Sequence, residues 1–363
     1  MNFSHIYNRL LVQSVVILGL AVGFVSCNSD DNTTNPGNTE SAFIITPLVS
    51  DTSEYPAPTI DPLLKNAWGL AIGPTGNPWI VNEGTGTSTV YDSNGAKVSL
   101  EVMLPAPQGG TSGTAIGTVF NATNDFVIPG GTKSLFLFAS PQGTISAWNQ
   151  GTGTNAVIVA SRADAKAAYT GITIGSSGGV NYLYAADFRN ANVDVYDKNF
   201  NYVRSIHDTT LPNDYYPFNV QAFGNRLFVT YAKKDNADDE DEVAGEGFGF
   251  VNEYTAAGEF VRRFASQGTL NAPWGVAIAP SDFGDKSGMV LIGNFGSGNI
   301  NTYDITSGTY MGKLKGTDGK EIEIEGLWAL EFGPLGNKRS TLYYTAGPDD
   351  EAHGVFGTIT LKK

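Results

Sequence analysis

The chain has 363 residues, with 36 acidic against 22 basic side chains and a formal charge of −14. A balance of that sign is repelled by DNA, RNA and anionic lipid headgroups, which argues against a nucleic-acid-binding role. With 41% apolar residues, 11% aromatic residues and 44 glycines, the composition is that of a turn-rich globular protein, and a domain of this length is expected to repeat a smaller unit.

In chain order, the first 26 residues stand apart. Arg9 is their only basic residue, none is acidic, and residues 10–25 are almost wholly apolar apart from Gln13 and Ser14. A short basic region before an apolar run reads as a secretion signal, and the run is shorter than the ~20 residues that span a bilayer. It ends in Phe24-Val25-Ser26-Cys27, which resembles a lipobox except that Phe24 stands where leucine is commonest. Cys27 is the single cysteine, so it cannot form an internal disulfide, and acylation is the natural use for it. Removing residues 1–26 deletes one basic residue and takes the charge from −14 to −15. The next four residues, Asn28-Ser29-Asp30-Asp31, resemble the surface-export signal of Bacteroidetes lipoproteins and equally suit a plain acidic tether. Residues 27–41 thus form the lipidated cysteine and a flexible spacer, with residues 42–363 the folded domain. The expected location is the outer membrane of an exporting cell, on either side of it, with the lipid as the membrane contact.

From there on one pattern recurs. Trp68-Gly-Leu-Ala-Ile-Gly-Pro74 returns as Trp274-Gly-Val-Ala-Ile-Ala-Pro280 and Trp328-Ala-Leu-Glu-Phe-Gly-Pro334, with weaker copies from Ile116, Thr170 and Phe218. The matching second positions, 69, 117, 171, 219, 275 and 329, lie 48 to 56 residues apart. Each copy continues with a short apolar run (Pro78-Trp-Ile-Val81 is the first), then a run with a fixed aromatic (Tyr91, Trp148, Tyr196, Tyr254, Tyr303), then a less apolar fourth run. These are strand signals, and a period near 50 indicates propeller blades. The last copy has only three strands, ending with residues 355–361. Residues 43–49 (FIITPLV) supply the fourth, so the expected fold is an all-β, six-bladed β-propeller whose ring is closed by its N-terminal strand.

The blades resemble those of the NHL-repeat and gluconolactonase-like propeller superfamily. More narrowly, Asn66-Ala-Trp-Gly-Leu70, Ala185-Ala-Asp-Phe188, Asn271-Ala-Pro-Trp-Gly275, Gly293-Asn-Phe-Gly296 and Thr345-Ala-Gly-Pro-Asp-Asp-Glu351 resemble a family of exported bacterial propellers of unassigned function. That resemblance implies a fold without implying a chemistry.

In such propellers the loops between second and third strands share a face with the segments entering the first strands. That face is expected to gather Asn82, Glu83, Asp187, Arg189, Asn294, Asp349, Asp350, Glu351 and His353 beside Trp68, Trp274 and Trp328, where binding groups usually sit. Each has a plain structural use as well. The tryptophans suit the wedges between blades, Asp187 and Asn294 suit hydrogen bonds to loop amides, and the acidic insertion at residues 235–246 suits a solubilising loop. No cysteine nucleophile, GxSxG elbow, HExxH helix or phosphate loop is present. The leading expectation is a non-enzymatic binding or scaffold module for a carbohydrate or peptide. The alternative is a metal-dependent lactonase or esterase of the gluconolactonase type. In it Glu83, Asp187 and Asn294 would hold calcium, although Asp-Asp-Glu lacks the spacing of a calcium loop.

Overall fold

The computed structural model describes residues 40–107, 113–235, 241–334 and 338–363. The secretion signal, Cys27 and nearly all of the tether lie outside the described residues, as do residues 236–240 of the acidic insertion. Among the described residues no helix is long and apolar enough to cross a membrane.

The chain forms six sheets, each built on four antiparallel strands, the blades of a six-bladed β-propeller. Blade one, for example, runs Ala67–Ile72, Pro78–Asn82, Thr87–Tyr91 and Lys97–Met103, from innermost to outermost. Its burial grades as the order predicts. The second and third strands are fully buried between blades, whereas the fourth is mostly exposed or half-buried, with Val102 its one buried residue. Pairing on both edges explains the near-continuous apolar runs of the middle strands.

The Trp-Gly signature follows from how closely the first strands approach one another around the axis. A Cβ on Gly69 would run into the carbonyl oxygen of Ile116 in the next blade, and one on Gly275 would lie 2.6 Å from that of Trp328. Where Asn219 replaces glycine, its amide bonds the neighbouring blade, donating to the Trp274 carbonyl at 2.9 Å. A single 3-10 turn, Ala163–Ala165, precedes the first strand of blade three, Tyr169–Ser177.

Blade six closes the ring as expected. Leu327–Phe332, Leu342–Ala346 and Val355–Leu361 pair in order, and the N-terminal strand Ala42–Ser50 lies antiparallel along the last of them. Register runs from Phe43 opposite Leu361 to Ser50 opposite Val355, with a bulge between Pro47 and Val49. Two short strands, Thr59–Ile60 and Lys315–Gly316, pair parallel with the far side of the N-terminal strand and cover part of its edge.

Candidate functional site

At the loop face the axis is closed by aromatic rings. Trp328 is sandwiched between Trp68, with centroids 3.6 Å apart, and Phe295, at 3.9 Å. Trp274 and Phe218 meet Trp328 edge-on at 6.2 and 5.9 Å, and Phe188 joins Phe218 to Tyr216. The three tryptophans are 0 to 6% exposed, so they form a plug between the converging first strands and offer no open ring face. Beneath them the axis keeps a chamber of about 20 Å³ lined in part by Thr118, Gln221 and Glu331, room for one water. Burial there pushes the Glu331 carboxyl up to about 8, opposed only by the Ile72 amide that it accepts.

The polar groups sit over this plug. The Trp328 indole N–H donates to Asn66 Oδ1 at 3.0 Å, and the Asn66 amide in turn donates to Glu351 at 2.6 Å and to Glu83 at 3.4 Å. One side chain thereby links the buried ring to two carboxylates from different blades. Burial pushes the Glu351 carboxyl up to about 7 against the Asn66 bond, and the charges of Glu83, Asp241 and Asp350 push the same way. Glu242, in the loop of blade four, is pushed up to about 8 by burial and then by the charge of Glu351. In that same loop Lys234 is 1% exposed and holds its ammonium 4.4 Å from the ring centres of both Phe188 and Tyr216.

Glu351 reaches this position through an unusual backbone. Asp349, Asp350 and Glu351 have φ of 57°, 48° and 66°, three successive left-handed residues without a glycine. Left-handed geometry costs a residue with a side chain roughly 1–2 kcal/mol. Surrounding bonds hold the turn in place. The Asp349 amide donates to Glu325 at 3.1 Å, the Ala352 amide to the Asp349 carbonyl at 3.0 Å, and His353 pairs through Nδ1 with Asp51 at 2.9 Å. That hydrogen bond to Asp51 also raises the His353 pKa. Strain held by its surroundings points to a functional position.

The structure therefore brings together Trp68, Trp274, Trp328, Glu83 and Glu351. Asp349 and His353 belong to the same loop and shape it. Other expected residues serve their own blades. Asn82 is buried and donates to Thr87 and Thr89 at 3.1 and 3.0 Å. Asp187 accepts from the Ala168 and Asn190 amides and from the Asn190 side chain, with burial raising its pKa. Asn294, at the matching position of blade five, accepts from the Asn271 amide at 2.9 Å. Arg189 is half-buried in the loop beyond Asp187. The oxygens of Asp187 and Asn294 would have to leave these partners to join Glu83 around calcium. Among the described residues no three His, Cys, Asp or Glu side chains stand together as a metal-binding group.

Three groups at the site escaped sequence reasoning. Asn66 was visible only as part of the Asn-Ala-Trp motif. Lys234 directly precedes the acidic insertion read as a solubilising loop and Glu242 lies within it, yet Lys234 is buried and Glu242 half-buried. Two lysines immediately before a run of acids were the available signal.

No family model matches the chain. It is 33% identical over 341 residues to the uncharacterized protein R648 of Acanthamoeba polyphaga mimivirus, covering 90% of this chain and 82% of that protein. With the uncharacterized protein L690 of the same virus it shares 32% over 311 residues, covering 82% and 81%. These relatives are viral and lend no support to an exported bacterial family. Among solved structures it resembles virginiamycin B lyase from Staphylococcus aureus, with a TM-score of 0.54, 11% identity and coverage of 88% of this chain and all of that one. A protein of unknown function from Bacteroides thetaiotaomicron matches with a TM-score of 0.57 at 10% identity, covering 88% and 76%. Likeness at that level of identity is a likeness of fold alone, that of a propeller.

Proposed function

From the premise that the chain belongs to the family of the mimiviral proteins R648 and L690, and from the geometry of its loop face, we propose a non-enzymatic binding module for a positively charged peptide segment. The observation that carries this reading is the Glu351 carboxylate, held over the axis by a strained turn and by Asn66 beside the charge of Glu83. Crowded, half-buried carboxylates with raised pKa values are relieved by an incoming cation. A lysine or arginine side chain supplies that cation with hydrogen-bond donors. A carbohydrate would need an open aromatic platform, and the buried tryptophans provide none. On this reading the domain is carried on a lipid attached to Cys27, exported to the outer membrane and displayed at the cell envelope. What supports that part is the composition of residues 1–31, with one cysteine directly after the apolar run.

Calorimetry with a short lysine- and arginine-rich peptide tests the function. Affinity should rise between pH 6 and pH 8.5, because Glu351 and Glu242 ionise there, with values near 7 and 8. Glu351→Gln should weaken binding about tenfold, or ~1.4 kcal/mol, and flatten the pH profile. Equal binding by wild type and variant across that range would sink the proposal. Tethering is tested separately by metabolic labelling with an alkyne fatty acid, which Cys27→Ser should abolish.

A further inference from the structure

Beside the closure seam, away from the axis, blade six bears a cleft of about 220 Å³. Its floor is made by the buried Tyr344, Ala346, Pro348 and Val355, and Ile45 of the N-terminal strand walls one side. An apolar cavity of roughly 150 Å³ suffices to hold benzene, so this one accepts a ring together with a short chain. Such an apolar well with a few convergent polar groups is the usual form of a small-molecule site.

The polar groups at the mouth are of one sign. Glu323 and Glu325 are exposed at the rim, and no lysine or arginine lines the cleft among the described residues. Glu323 makes no hydrogen bond or ion pair with the described residues. Glu325 is held in place through Oε1, which accepts the Asp349 amide at 3.1 Å. Tyr55, also at the mouth, has its hydroxyl pKa raised by burial and then by the charges of Glu325, Asp349, Glu54 and Asp51, which marks a negative field there.

We propose that this cleft binds a small aromatic or alicyclic amine, its ring in the apolar well and its ammonium on Glu323 and Glu325. An anion of the same shape is repelled at the rim, and a neutral ring leaves the free carboxylate unused. The site uses none of the groups that Asn66 joins; Glu325 also accepts the Asp349 amide in the turn that carries Glu351, and glutamine at 325 keeps that acceptor oxygen.

The test is calorimetry on the full chain with 2-phenylethylamine and its charge-reversed counterpart phenylacetate. The amine should bind at least about tenfold more tightly than the acid. The double variant Glu323→Gln, Glu325→Gln changes only exposed side chains and should erase that preference. Ala346→Phe should fill the floor and remove binding of the amine. Glu351→Gln should leave amine binding unchanged, which separates this site from the peptide site. Equal binding of amine and acid, no binding of the amine, or undiminished binding by Ala346→Phe would overturn the proposal.

Discussion

His353 and Asp51 come from opposite ends of the folded chain, 302 positions apart, and their 2.9 Å contact fastens the loop that carries Glu351. Asp51 is buried and also accepts the Gly354 amide at 3.1 Å, so the imidazole is held by an acceptor that is itself fixed. A histidine whose folded pKa lies above its unfolded value binds its proton more tightly when folded. Its contribution is complete below the unfolded value, near 6.5, and is lost as pH rises through the folded one. His353→Gln should therefore lower the melting temperature at pH 5.5 and leave it nearly unchanged at pH 9. A loss as large at pH 9 would mean that packing against Tyr55, whose ring centre lies 5.5 Å away, matters more than charge. Glu351 and Glu242 act in the same direction. As carboxyls with raised folded values they make the fold less stable as pH climbs from about 4.5 toward 7 to 8.

Among the elements, the N-terminal strand is the one that closes the ring. Seven of its nine residues pair along Val355–Leu361, and without them that strand becomes a bare edge in the one blade assembled from both ends of the chain. Deleting residues 42–50 should lower the melting temperature and raise light scattering, and a synthetic AFIITPLVS peptide added in excess should reverse both by strand addition. Failure of the peptide to rescue would show that pairing alone does not restore the blade and that the strand's covalent link to the rest of the chain is required. This closure was legible from the sequence because strand counting is local: a blade that stops at three strands, set against a lone apolar run at the other terminus, leaves one solution. Blade number was legible for the same reason, since the close approach of first strands imposes Gly69, Gly117, Gly171 and Gly275 at one recurring place. The site was less so. The Asn66–Glu351 bond spans 285 positions, and three left-handed residues in Asp349-Asp350-Glu351 have no signature in residue types that usually avoid that geometry. Lys234 was hidden by its neighbours, because a lysine beside many acids looks solvated until its contact with Phe188 and Tyr216 is seen.

Across the whole molecule the excess of acid sets two opposing responses to salt. A formal charge of −14 strains the compact state by self-repulsion, which counterions screen. Raising sodium chloride from 20 to 300 mM should increase the melting temperature while weakening the basic peptide at the loop face. A melting temperature that fell with salt would show that specific ion pairs such as Arg262–Glu253, at 2.8 Å, outweigh the net charge. Closure of the ring has a further consequence during synthesis. Ser50 waits for Val355, its partner 305 positions later (355 − 50). At translation rates of 5–20 residues per second that delay is roughly 15 to 60 s. Five blades can assemble in turn as they emerge, while the first strand made is the last to be satisfied. The nascent chain thus carries residues 42–50 as an unpaired, largely apolar segment for nearly the whole of its production, open meanwhile to pairing with other strand edges.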